Sequence, residues 1–270
     1  MQNIGQMSDK PYISSSQLGL YEMCGEAYRR SYIEKEKIPP GIAMIKGIGV
    51  HGGSRANFRQ KKDSHQDLPK KDIAEISVTE MERSLGYGVM LTPEEDSVGK
   101  DIIIGKAKDS VVVFADLYSD FVAPEYQPVF TEEKQRIVIP DSSHDLMAVM
   151  DVADDKKRIV DLKSTGKKKA QKDVDDSEQL SFYSLVYKAL TGELPEEVRL
   201  EVLVEKKQSE RQLLVGKRDM ADLTVLISRI NTMIKGLSAG IFMPCPASFW
   251  KCNPMYCGYF NTCKFTKRRV

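Results

Sequence analysis

Three residues could carry out hydrolytic chemistry together: Asp151, Asp161 and Lys163. They lie in the stretch Leu146 to Thr165, LMAVMDVADDKKRIVDLKST, which reads as two β-strands joined by a charged turn. The second strand, Arg158 to Lys163, is apolar except at its arginine and where Asp161 and Lys163 interrupt it. Side chains alternate faces along a strand, so Asp161 and Lys163 point the same way. An acid and a lysine inside a buried strand cost stability unless something compensates. Two carboxylates with an adjacent lysine could hold a divalent metal and an activated water. The plainer reading is a surface hairpin with an ordinary salt bridge. Geometry separates the two. Asp151 joins Asp161 on one face only if the loop has an odd number of residues or a strand carries a bulge. The loop expected is Asp154-Asp155-Lys156, which pairs Asp151 with Ile159.

Five cysteines are distributed unevenly: Cys24, then Cys245, Cys252, Cys257 and Cys263. Structural disulfides are not expected in a cytosolic chain, so a cluster of this kind points to metal or redox chemistry. Four thiolates could bind zinc or an iron–sulfur cluster, and the C-x2-C pairs that would favour zinc are absent. Lys167, Lys168, Lys169 and Lys172 follow the central hairpin. They form either a solvated loop or a set of phosphate contacts beside a site.

These residues need elements to position them. Ser14-Ser15-Ser16 offers N-caps for one helix running to about Glu36, with Cys24 within it and residues 1–12 as a loose tail. A second helix is expected over Ile42 to Gln60 despite Gly47, Gly49, Gly52 and Gly53, whose presence implies close packing against another backbone or against DNA. His51 lies in that stretch, and a lone histidine is more often structural than a ligand. Residues 61–70 read as a loop. Helices are expected over Asp72 to Leu85 and Gly105 to Phe121, the second in preference to a β-branched strand. No chemistry stands out in residues 61–125, which read as a helical subdomain covering the site. From Pro128 the period becomes that of strands. Asp176 to Thr191 is an amphipathic helix ended by Gly192, with Gln179 and Tyr183 on one face. A hairpin, Val198–Glu205 with Gln212–Val215, and a long helix, Met220–Ala239, complete a mixed sheet flanked by helices.

Asp151 with Asp161-Leu162-Lys163 resembles the PD-(D/E)XK nuclease signature, without its proline. His51 after Gly47-Ile48-Gly49-Val50 upstream, Gln179-x3-Tyr183 downstream and cysteines at both ends resemble the RecB-like exonucleases, in particular their iron–sulfur branch. That branch includes CRISPR-associated RecB-like exonucleases and similar phage proteins. The resemblance covers roughly residues 12–265. It implies an α/β fold of restriction-endonuclease type: a helical N-terminal region (1–125), a nuclease core (126–240) and a C-terminal iron–sulfur segment (241–270). It implies that His51, Asp151, Asp161 and the Leu162 carbonyl hold Mg²⁺ or Mn²⁺, and that Asp161 and Lys163 activate water. Gln179 and Tyr183 would line the site. Cys24, Cys252, Cys257 and Cys263 would hold a [4Fe–4S] cluster, leaving Cys245 spare; Cys252-x4-Cys257 stands where many members have C-x2-C. DNA is the implied substrate, bound in part by Lys167, Lys168, Lys169 and Lys172. Protein partners in recombination, replication or CRISPR adaptation are compatible with it.

Composition limits these readings. The 270 residues are 41% hydrophobic and 29% charged, which suits a globular protein with a proper core. No run is long and apolar enough to span a membrane, and MQNIGQMSDK lacks a signal-peptide core, so the expected location is the cytoplasm. A net charge of +1 excludes a globally basic surface, leaving nucleic-acid binding to local patches. Lys264, Lys267, Arg268 and Arg269 make one basic end. Two rival functions remain: a DNA-binding or assembly protein with a vestigial site, and a zinc-stapled structural protein.

Overall fold

The computed structural model describes residues 9–131 and 133–266. A short strand β1 (Tyr12–Ile13) leads into helices α1 (Ser15–Met23) and α2 (Gly25–Tyr28), followed by a π-helical turn at Arg29–Ile33. Helices α3 (Ile42–Ser64), α4 (Lys70–Leu85), α5 (Pro93–Val98) and α6 (Lys100–Leu117) come next. Strands β2 (Pro128–Thr131), β3 (Lys134–Ile137), β4 (Asp145–Val149), β5 (Val152–Asp154) and β6 (Arg158–Thr165) follow. Helices α7 (Gln171–Asp175) and α8 (Glu178–Thr191), strands β7 (Glu197–Val204) and β8 (Glu210–Gly216), and helix α9 (Met220–Ser238) complete the order. Beyond α9 the described residues run through turns, with a 3₁₀ turn at Phe260–Thr262.

The main sheet has the order β2-β5-β6-β7-β8. Strands β6 and β7 are parallel from Arg158↔Glu197 to Thr165↔Val204, and the other neighbours are antiparallel. A parallel pair needs a long crossover, here supplied by α7 and α8. A smaller sheet has the order β1-β4-β3. The chain passes from one sheet to the other at Met150-Asp151, between β4 and β5. On one face of the main sheet Ile159, Val198, Leu200 and Val202 pack with Leu180, Phe182 and Val186 of α8 and Leu226 and Ile230 of α9. On the other, Val152, Val160, Leu162 and Leu203 pack with Val50 and Phe58 of α3 and Phe114 of α6. This is the mixed, helix-flanked restriction-endonuclease-like architecture that the sequence implied.

The β5–β6 loop holds three residues, Asp155 to Lys157, so its parity is odd, as expected. The register differs by two: Val152 pairs with Val160, where the expected loop would pair Asp151 with Ile159. The Asp154 carboxylate causes the difference. It accepts from the Lys156 N–H at 3.1 Å and the Arg158 N–H at 2.9 Å, so Asp154 closes the turn instead of lying within it.

Two expectations near the N-terminus need correction. Tyr12, the end of the expected tail, is in a strand: it pairs with Asp145, as its neighbour Ile13, fully buried, pairs with Leu146. The single helix expected to reach about Glu36 is broken at Cys24, whose backbone is extended (φ −162°, ψ 101°). Tertiary contact overrides local propensity there. The Gly25 N–H donates to the Met243 carbonyl at 2.7 Å, and a Cβ on Gly25 would lie 2.6 Å from the Met243 nitrogen. Helix α3 also continues to Ser64, into the stretch expected to be loop. It buries Lys61, whose ammonium donates to Asp67 and to the Ala123 carbonyl.

Two of the four α3 glycines, Gly49 and Gly53, pack as expected against another backbone, that of α4, whereas Gly52 faces the Glu80 side chain and Gly47 has no neighbour within 4 Å. A Cβ on Gly49 would lie 2.7 Å from the Ser77 carbonyl oxygen, and one on Gly53 would lie 2.0 Å from Ser77 Oγ and 2.9 Å from the Ile73 carbonyl oxygen. Glycine-to-alanine in a helix interior ordinarily gains about 1 kcal/mol from propensity. Gly53→Ala is expected to reverse that sign and cost about 1–3 kcal/mol net through overpacking. The midpoint of guanidinium unfolding measures this, and a rise in midpoint would mean that α3 and α4 are not so closely apposed.

Candidate active site

The site is built where the ladder between β5 and β6 ends. β5 begins at Val152, so it offers no partner beyond Val160, and the Asp151 carboxylate takes over there. Its Oδ2 accepts from the Leu162 N–H at 2.7 Å. Its Oδ1 lies 3.2 Å from His51 Nδ1 on α3. Asp161, only 1% exposed, lies on the α8 face of β6. The Lys163 ammonium stands 3.0 and 2.9 Å from the two Asp161 oxygens. Lys163 also donates to Gln179 Oε1 at 3.1 Å, and Gln179 Nε2 donates to the Tyr183 hydroxyl at 2.6 Å. The Ser177 hydroxyl caps α8 by accepting from the Leu180 N–H, which sets Gln179 in the first turn facing β6.

His51 and Asp151 thus form one pair and Asp161, Lys163, Gln179 and Tyr183 one hydrogen-bonded and ion-paired chain, and the two meet at Leu162 of β6, between Asp161 and Lys163. The Leu162 side chain is buried on the opposite face of the sheet, so only its backbone can serve the site. Ser164, Thr165, Ser177 and Lys169 line the same cleft of about 310 Å³ with Asp161, Lys163 and Gln179. Alternation along β6 could have pointed to Thr165, two residues after Lys163.

The two carboxylates are driven apart electrostatically. Burial pushes the Asp161 carboxyl up to about 6; the neighbouring Asp151 charge adds to this and the Lys163 ammonium opposes it. Burial acts on Asp151 in the same direction and is the largest single influence. His51, the Leu162 N–H and Lys163 together outweigh it and hold Asp151 below the usual carboxylate range. Desolvation acts to lower the Lys163 pKa, but attraction to Asp161 and Asp151 outweighs it and leaves the ammonium above its ordinary value. The site thus holds a stable ammonium beside one firmly ionised acid and one strained acid.

Of the four lysines after the hairpin, only Lys169 borders the cleft. Its backbone is tied to the Gln212 side chain in both directions, at 2.9 and 2.8 Å. Lys168 pairs with Glu210 and Lys172 with Asp176, and Lys167 is exposed outside the cleft lining.

A family model described as the PD-(D/E)XK nuclease superfamily matches residues 12–264. The chain belongs to the PD-(D/E)XK nuclease superfamily. Among solved structures it resembles a protein from Eubacterium rectale named as a "putative exonuclease", with a TM-score of 0.54 and 14% identity. That alignment covers 100% of this chain and 92% of the other, and at such identity it speaks for the fold alone. No curated protein matches the chain. Nucleases of this superfamily use divalent metals. Asp151 and Asp161 offer the buried, hard oxygen donors that a divalent cation takes, while among the described residues no three His, Cys, Asp or Glu side chains stand preassembled around a metal position.

All five cysteines line a second cavity in this PD-(D/E)XK chain, of about 150 Å³, between the α1–α2 break and the C-terminal segment. Cys245 is therefore not remote from the other four: its N–H donates to Cys24 Sγ at 3.4 Å. Burial pushes the Cys245 thiol up to about 12, with Cys24 and Cys252 contributing, and pushes Cys257 up as well. None of the five is in a disulfide. Among the described residues no three His, Cys, Asp or Glu side chains form a preassembled metal group. Soft thiol donors around one cavity nevertheless suit an iron–sulfur cluster or zinc. The segment is also fastened by Arg30, which donates to the Tyr259 carbonyl and to Thr262 Oγ1 and lies over the Tyr259 ring. In the basic end, Lys264 lies over the Phe265 ring, and Lys267, Arg268 and Arg269 fall outside the described residues. No described helix is long and apolar enough to cross a membrane.

The raised Asp161 predicts a pH-dependent stability. A carboxyl whose folded pKa lies above its unfolded value contributes stability below about pH 4, and that contribution is lost as pH rises through about 6. Asp161→Asn does not titrate. In metal-free protein its stability relative to wild type is expected to improve between pH 4 and pH 8, by up to roughly 3 kcal/mol. Denaturant titrations in EDTA at the two pH values measure the difference. A gap that stays constant would mean that Asp161 ionises normally.

Proposed function

We propose that this nuclease is a metal-dependent DNA exonuclease that acts on DNA ends or single strands and carries a structural [4Fe–4S] cluster. The supporting observation is the Lys163 ammonium, shared between the Asp161 carboxylate and the Gln179 carbonyl one residue from the Leu162–Asp151 contact. An ordinary surface salt bridge would need neither a buried acid nor a second, buried carboxylate behind it.

In this reading His51, Asp151, Asp161 and the Leu162 carbonyl hold Mg²⁺ or Mn²⁺. Such an ion acts as a Lewis acid that stabilises charge developing on the phosphodiester. Lys163 and Asp161 orient the attacking water, and Asp161 takes up its proton. Tyr183 fixes the Gln179 amide so that its oxygen faces Lys163, which keeps the ammonium aimed at the cleft. Lys169 meets a substrate phosphate as a point charge, with Lys167, Lys168 and Lys172 as an outer group. Cys24, Cys252, Cys257 and Cys263 hold the cluster, and Cys245, which meets Cys24 through its backbone N–H as well as its thiol, stays outside the ligand set. The division into an N-terminal helical region, a nuclease core and a cysteine segment belongs to the same proposal, as does a cytoplasmic location.

Cleavage of end-labelled single- and double-stranded DNA, with Mn²⁺, Mg²⁺ or EDTA and anaerobically purified protein, tests the enzyme. Lys163→Ala and Asp161→Ala are expected to lose activity by about 10²–10³-fold or more. Gln179→Ala, which acts through Lys163, is expected to lose about 10–100-fold. Wild-type rates in Lys163→Ala would refute the assignment. Absence of cleavage by folded, metal-supplied wild type would favour a DNA-binding protein with a vestigial site.

Visible absorption and iron analysis test the cluster separately. The native protein is expected to be brown with roughly four iron atoms per chain. Serine at Cys24, Cys252, Cys257 or Cys263 should abolish the colour, whereas Cys245→Ser keeps the backbone donor and should retain it. A colourless protein with one zinc would overturn the cluster.

A further inference from the structure

A second cationic surface begins one helical turn from His51. His51, Arg55 and Arg59 are spaced four residues apart on α3 and therefore share one face. Arg55 and Arg59 line a groove of about 590 Å³ with Arg83 of α4, Lys134 of β3 and Val149 of β4. Lys134 and Val149 are paired across β3 and β4, and Val149 precedes Asp151 by two residues. Gly52, next to His51, forms another part of the wall. The groove thus lies beside the side of the site where His51 meets Asp151, with sequence neighbours of both in its wall.

Among the described residues its lining carries four cations and one acid, Glu80. Glu80 Oε2 lies 3.2 Å from both Arg55 and Arg83 and so links α3 to α4. It reaches there because Gly52 has no side chain: a Cβ on Gly52 would lie 2.5 Å from Glu80 Cγ. Arg59 and Lys134 are exposed and have no acidic partner among the described residues. A chain with a net charge of only +1 therefore concentrates positive charge beside its carboxylates. Such a concentration raises the local density of an anionic ligand and steers its approach.

We propose that this groove is a phosphate-binding track, in which Arg59, Arg83, Lys134 and Arg55 hold the nucleic-acid backbone on the His51 side of the cleavage site. The Arg55 and Arg59 positions rise about 6 and 12 Å along α3 from His51, enough to serve two or three phosphates. The Lys169 side of the cleft lies beyond Asp161 and Lys163, so the two surfaces hold the strand on both sides of the reacting phosphate. Contacts of this kind fix register and affinity without reading sequence.

The proposal rests on the nuclease reading, and one set of measurements separates the two. Fluorescence anisotropy of a labelled DNA oligonucleotide in EDTA reports binding, and cleavage of the same oligonucleotide in Mn²⁺ is followed in parallel. Arg59→Ala, Arg83→Ala and Lys134→Ala are each expected to weaken binding about 3- to 10-fold near 100 mM salt. Each should also reduce the slope of log affinity against log salt by about 0.7. The triple variant is expected to lose at least about 30-fold. Arg59→Lys should restore most of the Arg59→Ala loss. Lys235→Ala, an equal loss of charge on exposed α9 across the sheet, should leave the slope unchanged. Wild-type affinity and slope in all three alanine variants, while wild type degrades the oligonucleotide, would overturn the track and leave the nuclease standing. Wild type that neither binds nor cleaves would overturn both.

Discussion

Everything in this fold that bears on chemistry depends on ending one β-ladder early. Strand β5 begins only at Val152, and the Leu162 N–H on β6 is satisfied by the Asp151 side chain instead of by backbone. A buried N–H needs a partner, so the carboxylate cannot leave without a cost comparable to a lost hydrogen bond. This pins Asp151 beside Asp161, where two negative charges repel in a low-dielectric setting. The fold tolerates that arrangement because the Lys163 ammonium faces Asp161 and His51 Nδ1 faces Asp151. Removing Lys163 would leave a buried charge uncompensated, whereas a bound divalent ion would relieve both acids at once.

The approach of His51 to Asp151 is in turn a packing result. α3 has its histidine between Gly49 and the pair Gly52-Gly53, and those glycines let α4 lie against it at backbone distance. α3 also packs on β6 through Val50 and the face of Val160 and Leu162. The helix is held between α4 and the sheet, so His51 has little freedom to withdraw. Glycine, costly for an isolated helix, is what permits this placement.

Much of this was legible from residue types and parity. The alternation of β6 put Asp161 and Lys163 on one face, and the need to gather Asp151 with them required an odd loop, which the chain has. The register was not legible, because it depends on Asp154 folding its carboxylate back onto two backbone donors. Nor was the break at Cys24: Gly25 only permits it, and the cause lies over two hundred residues away, in the backbone around Met243. The groove beside His51 was missed for a related reason. Arg55, Arg59, Arg83 and Lys134 are scattered in sequence, and only the α3–α4 contact and the β3–β4 pairing bring them together.

The break at Cys24 also connects the cysteine cavity to α8. Glu22, two residues before Cys24 on α1, shares Arg229 of α9 with Glu178 of α8. Glu178 immediately precedes Gln179, the residue that holds Lys163. Cys24 faces Cys245 of the C-terminal segment, while Tyr21 of α1 donates to the Ile241 carbonyl at 2.7 Å. α1 is thus fixed at one end by the terminal segment and at its side by α8 and α9. A group bound among the thiols would tie the C-terminal segment to α1, and its ligand free energy would become folding free energy for the bundle that seats Gln179. The cysteines can therefore support hydrolysis purely mechanically, by keeping α8 in register with β6, with no electron transfer required.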